Sequence, residues 1–201
     1  MSLASGLEIE NALQKLGELL ALESQKYAIV VLGGAALNLL GIVERVTTDV
    51  DILAFAHSGS GKTMRLLEPP EPLPEPLVRA ARTVAQDLGL ESEWLNTGPA
   101  LQWRSGLPPG IEQRIRWRRY AALRVGLVDR FDLIFFKLYA AADSKGPGSV
   151  HYQDLLALKP NAEELDAATA WVKTQDASAY FQRVLQMVVN HVQIDLSLDG
   201  T

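Results

Sequence analysis

The chain has 201 residues, 48% of them hydrophobic and 21% charged, with a formal net charge of −5, the balance of a folded globule rather than of a disordered chain. Its length accommodates one well-buried domain, or a small domain with a helical extension. Absence of cysteine excludes a disulfide framework and a thiolate zinc site, the scatter of His57, His151 and His191 argues against a histidine metal centre, and the acidic balance speaks against a protein that coats nucleic acid.

The N-terminus lacks a basic segment followed by a long apolar core, so no signal peptide and a cytoplasmic location are expected. Leu7 to Glu23 places apolar residues near the helical period and predicts an amphipathic helix. Tyr27-Ala-Ile-Val-Val-Leu32 is a short β-branched run that predicts a buried strand, ended by Gly33-Gly34. The seventeen uncharged positions 27–43 approach the length of a membrane span, but the glycine pair divides them into a strand and a helix. A glycine turn opening a helix is expected to present free amides at the surface, an anion site that a polyphosphate can approach closely. Asp49 and Asp51 follow, one residue apart. On a strand they project from one face while Val50 and Ile52 point to the core. Neighbouring carboxylates repel unless a cation lies between them, and hard oxygen ligands suit Mg²⁺ or Mn²⁺.

Ala56-His-Ser-Gly-Ser-Gly-Lys-Thr63 imitates a phosphate-binding P-loop, but it begins with alanine, and five prolines in residues 68–76 leave little room for the helix that must follow. The better expectation is a loop from which Lys62 reaches phosphate. Leu77 to Leu88 predicts a helix capped by Gly89, and Leu90 to Leu95 a strand carrying Glu91 and Glu93. Residues 101–130 hold seven arginines against two acids. Within them Arg114, Arg116 and Arg118 alternate with apolar residues, either as a stripe for RNA or tRNA phosphates or as the charged face of an edge strand. Another strand is expected over Ala121–Leu127. The helix from Arg130 to Asp143, with Asp129 as N-cap, is apolar on most sides and carries Lys137 in its interior. That ammonium must either reach water along its own stem or meet an anion. Helices are expected over Asn161–Lys173 and Ala177–Val192, closing a helical part from residue 129 to 201 beside a core of residues 1–128.

Strand, Gly33-Gly34, helix, then Arg45-Val-Thr47-Thr-Asp49-Val-Asp51 resembles the signature of minimal nucleotidyltransferases of the DNA polymerase β superfamily. It looks closest to the bacterial branch that includes abortive-infection-type toxins. The resemblance implies an α/β (α+β) fold with a small mixed sheet, and transfer of a nucleoside monophosphate from a nucleoside triphosphate to a hydroxyl. Asp49 and Asp51 would bind two Mg²⁺ ions, Glu93 would be a third acid, and Gly33, Gly34, Arg45 and Thr47 would meet the nucleotide. The same branch implies a role for Lys137 in Lys137-Leu-Tyr-Ala140, with Asp154 from the next helix orienting it. The chain departs from the branch at Trp94-Leu-Asn-Thr97, where relatives carry an acid in the last position. That leaves a nucleotide- or RNA-binding protein without catalysis, such as a toxin–antitoxin partner, as the alternative.

Overall fold

The computed structural model describes residues 6–58, 64–144 and 146–198, which form two compact units divided between Asp129 and Arg130. In the first unit, helix α1 (Gly6–Leu22) buries Ile9, Leu13, Leu16 and Leu20 along one side. It leads to β1 (Tyr27–Leu32), α2 (Gly33–Leu39), β2 (Val50–Ser58), β3 (Met64–Leu67), α3 (Glu75–Leu88) and the two-residue β4 (Leu95–Asn96). Short helices α4 (Ala100–Ser105) and α5 (Ile111–Arg114) precede β5 (Arg116–Tyr120) and β6 (Leu123–Leu127). The sheet is mixed, in the order β3-β2-β1-β6-β5, with β4 also on β2. β1 is central, parallel to β6 and antiparallel to β2, and its last four residues are all buried, as a β-branched strand with neighbours on both sides requires.

One sheet face supplies Ile29, Val31, Val50, Ile52, Leu123, Val125 and Leu127 to a core with the apolar sides of α1 and α3. Gly17 of α1 lies so close to the β5–β6 turn that a Cβ there would collide with the Tyr120 carbonyl oxygen. The expected strand over Leu90–Leu95 shrinks to Leu95–Asn96. Trp94 is fully buried and its indole nitrogen donates to the Ala81 carbonyl at 2.9 Å, so residues 91–94 turn to deliver that ring to α3. β2 continues through Ser58 and returns antiparallel as β3. A strand rather than a helix therefore follows the Gly-Lys-Thr sequence, and Lys62 itself lies outside the described residues.

The second unit is helical: α6 (Arg130–Asp143), a tight turn at Gly146–Gly148, α7 (Val150–Ala157), α8 (Ala162–Gln175) and α9 (Ala179–Leu198). α6 contacts each of the other three helices. Its phenyl rings Phe135 and Phe136 lie 5.8 and 5.7 Å from Trp171 of α8. Asn161 caps α8 in a reciprocal pair with Glu164, a start signal written in the sequence. The Tyr152 phenol, buried and donating to Asp195 at 2.6 Å, is pushed above its ordinary pKa by burial first and Asp195 second. Among the described residues no helix is long and apolar enough to cross a membrane.

Arg130 holds α6 to the α7–α8 connection by donating to the carbonyls of Leu158 and Lys159 at 2.9 and 2.7 Å and to Glu164 at 2.6 Å. The hydrogen bond from Arg130 is the main reason that the Glu164 carboxyl lies below its usual pKa. A depressed acid contributes stability that is complete above the unfolded-state pKa and is lost as the pH falls through the lower folded value. Arg130→Ala should therefore cost about 1–2 kcal/mol in denaturant unfolding at neutral pH. Its deficit should narrow as the pH falls through the lowered Glu164 value, below which only the two carbonyl contacts remain to be lost.

Candidate functional site

The end of β1 and the start of β2 lie side by side, because the antiparallel register sets Leu32 opposite Asp51. On its other side Asp51 pairs with Asn96 of β4. The chain leaves β1 through Gly33, whose φ of +74° is a left-handed conformation that glycine alone adopts without strain. A Cβ at Gly33 would stand 2.5 Å from Asp51 Oδ2, and one at Gly34 would stand 2.8 Å from Thr47 Oγ1 and 3.1 Å from an Arg45 guanidinium nitrogen. Two glycines thus leave room for an aspartate, a threonine and an arginine.

The loop after α2 is held by Asn38, a polar side chain only 6% exposed. Its amide nitrogen donates to the carbonyls of Gly34 and Arg45, both at 3.0 Å, while its oxygen accepts from the Arg45 amide at 3.2 Å. This clamp fixes residue 45 against the first turn of α2 and sets the Arg45 and Thr47 side chains over Gly34. The Thr47 hydroxyl also lies 3.5 Å from Asp49 Oδ1. Val50 and Ile52 are fully buried, while Asp49 and Asp51 remain partly exposed. This is the alternation expected of an acid pair entering a half-covered strand.

One expectation is corrected. The amides of Gly33 and Gly34 are not presented bare at the surface: both residues are buried, beneath the same Asp51, Thr47 and Arg45 side chains expected to meet nucleotide and metal. Glu93 lies in an exposed turn rather than on a strand, because the burial of Trp94 takes residues 91–94 out of the ladder. Asn96 fills the position beside Asp51, its Oδ1 accepting from the Gly98 amide at 2.7 Å. Among the described residues no three His, Asp or Glu side chains converge as a metal site. Asp49, Asp51 and the Asn96 carbonyl are nonetheless hard oxygen donors. They fit a cation such as Mg²⁺, which takes one or two carboxylates and completes its shell with water and substrate phosphate.

From Asp49 an open cleft of about 820 Å³ extends along α3 and the 92–98 segment. Leu77, Val78 and Ala81 form its apolar side, and Arg82, Glu93 and Asn96 are among its polar groups. Arg104, also on its wall, is paired with Glu68 at 2.8 Å.

Arg116 and Arg118 lie on one face of β5, the edge strand expected to carry them, while Arg114 falls outside that strand. Arg114 ends α5 and donates to the Pro109 carbonyl at 2.7 Å. Arg116 pairs with Asp129 at 2.9 Å, and Arg118 pairs with Glu10 and donates to the Leu39 carbonyl. All three serve their own chain. In the second unit Lys137 does not reach water: its Nζ meets Asp154 Oδ2 at 2.8 Å, with the side chains 5% and 2% exposed.

Comparison of the chain with protein-family models, curated proteins and solved structures finds no match. Two residues of the site carried a sequence signal that pattern reading passed over. Asn38 is the one strongly polar residue in the uncharged run 27–43, and Asn96 stands two residues after the buried Trp94.

Replacing Gly33 by alanine forces either the left-handed turn or the Asp51 carboxylate to move, so Gly33→Ala should lose about 1–3 kcal/mol of stability in thermal or denaturant unfolding. For the buried ion pair, Asp154→Ala alone leaves an uncompensated ammonium and should cost about 3–5 kcal/mol. A double-mutant cycle with Lys137→Met should show the two losses to be non-additive by more than about 1 kcal/mol.

Proposed function

We propose that the first unit is a nucleotidyltransferase, moving a nucleoside monophosphate from a nucleoside triphosphate to a hydroxyl acceptor. One observation carries this reading: Gly33, Gly34, Arg45, Thr47 and Asp51 meet at a single point, at the paired ends of β1 and β2. The sequence resemblance to minimal nucleotidyltransferases names these same residues. The Arg45 guanidinium and Thr47 hydroxyl are the donors nearest the turn, and they would hold the phosphate oxygens where negative charge grows. Asp49 and Asp51, joined by the Asn96 carbonyl, would hold the divalent ions. Once bound, these ions supply electrostatic stabilisation to the attacking and leaving oxygens of an in-line displacement. The acceptor enters by the cleft beside Asp49, whose apolar wall excludes water from one side of its hydroxyl. In the transfer, the acceptor oxygen bonds to the α-phosphorus, its proton passes to solvent and pyrophosphate leaves.

Asn96 beside Asp51, followed by Thr97, supports a second reading in which the nucleotide is bound without transfer. The two are separated by thermal unfolding with each nucleoside triphosphate and Mn²⁺, followed by incorporation of labelled nucleotide into a panel of tRNA, protein and small hydroxyl acceptors. For a transferase, Asp51→Asn should lower incorporation about 100-fold or more. Stabilisation by a nucleotide without incorporation supports the second reading. No stabilisation by any nucleotide overturns both.

A further inference from the structure

β5 is an edge strand, and its two faces treat arginine differently. On one face Arg116 and Arg118 are neutralised by Asp129 and Glu10. On the other face Arg119 stands directly opposite Arg124 of β6 in the antiparallel register, an arrangement of like charges that destabilises a ladder. Neither has an acidic partner among the described residues. Arg119 donates to the Ala121 carbonyl at 3.2 Å, and Arg124 donates to the Met64 sulfur at 3.7 Å. Both are exposed.

Beside them on the same face lies Trp117, two residues before Arg119 and opposite Gly126. A Cβ on Gly126 would come within 3.0 Å of two carbons of the indole, so the ring lies down over the glycine. The Arg124 guanidinium sits 5.8 Å from the ring centroid. Arg119 also borders a recess of about 520 Å³ whose lining includes Ser24, Gln25 and Lys26. That recess contains two cations and no carboxylate.

We propose that this face, Trp117 with Arg119, Arg124 and the recess at Lys26, docks single-stranded RNA. Charge sets the sign of the partner: Lys26, Arg119 and Arg124, three cations with no ion pair among the described residues, on a chain whose net charge is −5, are complementary to a polyanion. The indole sets its form. The Arg124 guanidinium over the Trp117 ring makes a planar layer on which unpaired bases stack, bases that a duplex keeps inside its helix. Phosphates then fall on Arg119 and Lys26, while Ser24 and Gln25 offer neutral polar groups to a ribose hydroxyl, the feature that distinguishes RNA from DNA. This inference is independent of nucleotide transfer, since it uses none of the residues at the β1–β2 site.

The test is fluorescence anisotropy of a labelled oligouridylate of about 12 nucleotides, within the usual site size for single strands, titrated with the full chain at several salt concentrations. Binding should weaken steeply with salt. The Lys26→Ala/Arg119→Ala double variant should weaken it about tenfold and lower the slope of log K against log salt by roughly 1.4, two phosphates' worth. Trp117→Leu should also weaken it about tenfold, and Arg116→Ala, on the neutralised face, should leave it unchanged. Circular dichroism melting checks that each variant folds. If Trp117→Leu does not fold, Arg124→Ala, which removes the group above the ring, takes its place. Absence of salt-dependent binding, equal loss in Arg116→Ala, or equal or tighter binding of the deoxy strand, a duplex or a polyglutamate would overturn the proposal.

Discussion

A side chain at Gly33 or Gly34 would displace Asp51, Thr47 or Arg45, which already occupy the space a Cβ would need. The rest of the first unit's chemistry follows from that constraint. The left-handed Gly33 lets the chain turn straight from the central strand into α2. The closeness of Asp51 results from the pairing of β1 and β2, and the closeness of Arg45 and Thr47 from the Asn38 clamp across the intervening loop. Each residue depends on a different element, so the cluster exists only when strand, helix and loop are all in place.

The two units solve the problem of charge differently. In the helical unit, Lys137 and Asp154 satisfy each other out of solvent, where removal of one partner would leave a costly isolated ion. In the sheet unit most arginines stay near the surface. Arg116 and Arg118 are matched with acids of the same unit, while Arg119 and Arg124 are left opposite one another. A dense run of arginines is thus divided by the two-residue period of a strand into a neutralised face and a charged one. That division depends on which sheet face α1 covers, since Glu10 of α1 is what reaches Arg118.

Burial of one aromatic ring explains the largest departure from local pattern. Residues 90–95 have the composition of a strand, yet the indole of Trp94 gains more by entering the core and bonding to Ala81 than the segment gains from a longer ladder. What remains of the strand, Leu95–Asn96, brings an amide rather than a carboxylate beside Asp51. β2 and β3 pair antiparallel on either side of the Gly-Lys-Thr sequence, so a strand follows it where a phosphate-binding loop would lead into a helix.

Local sequence determined the elements whose signals are short in range. The α1 stripe, the β-branched β1, the Asn161–Glu164 box and the Gly89 cap are each set by periodicity or by hydrogen bonds between near neighbours. It also determined the alternation that exposes Asp49 and Asp51 while burying Val50 and Ile52. Tertiary structure alone decided that the glycine amides lie beneath side chains, that Asn96 is the neighbour of Asp51, and that Lys137 meets Asp154. It also decided which arginines have acidic partners. These outcomes depend on pairings between residues far apart in the chain, where register and burial rather than local preference choose the partner.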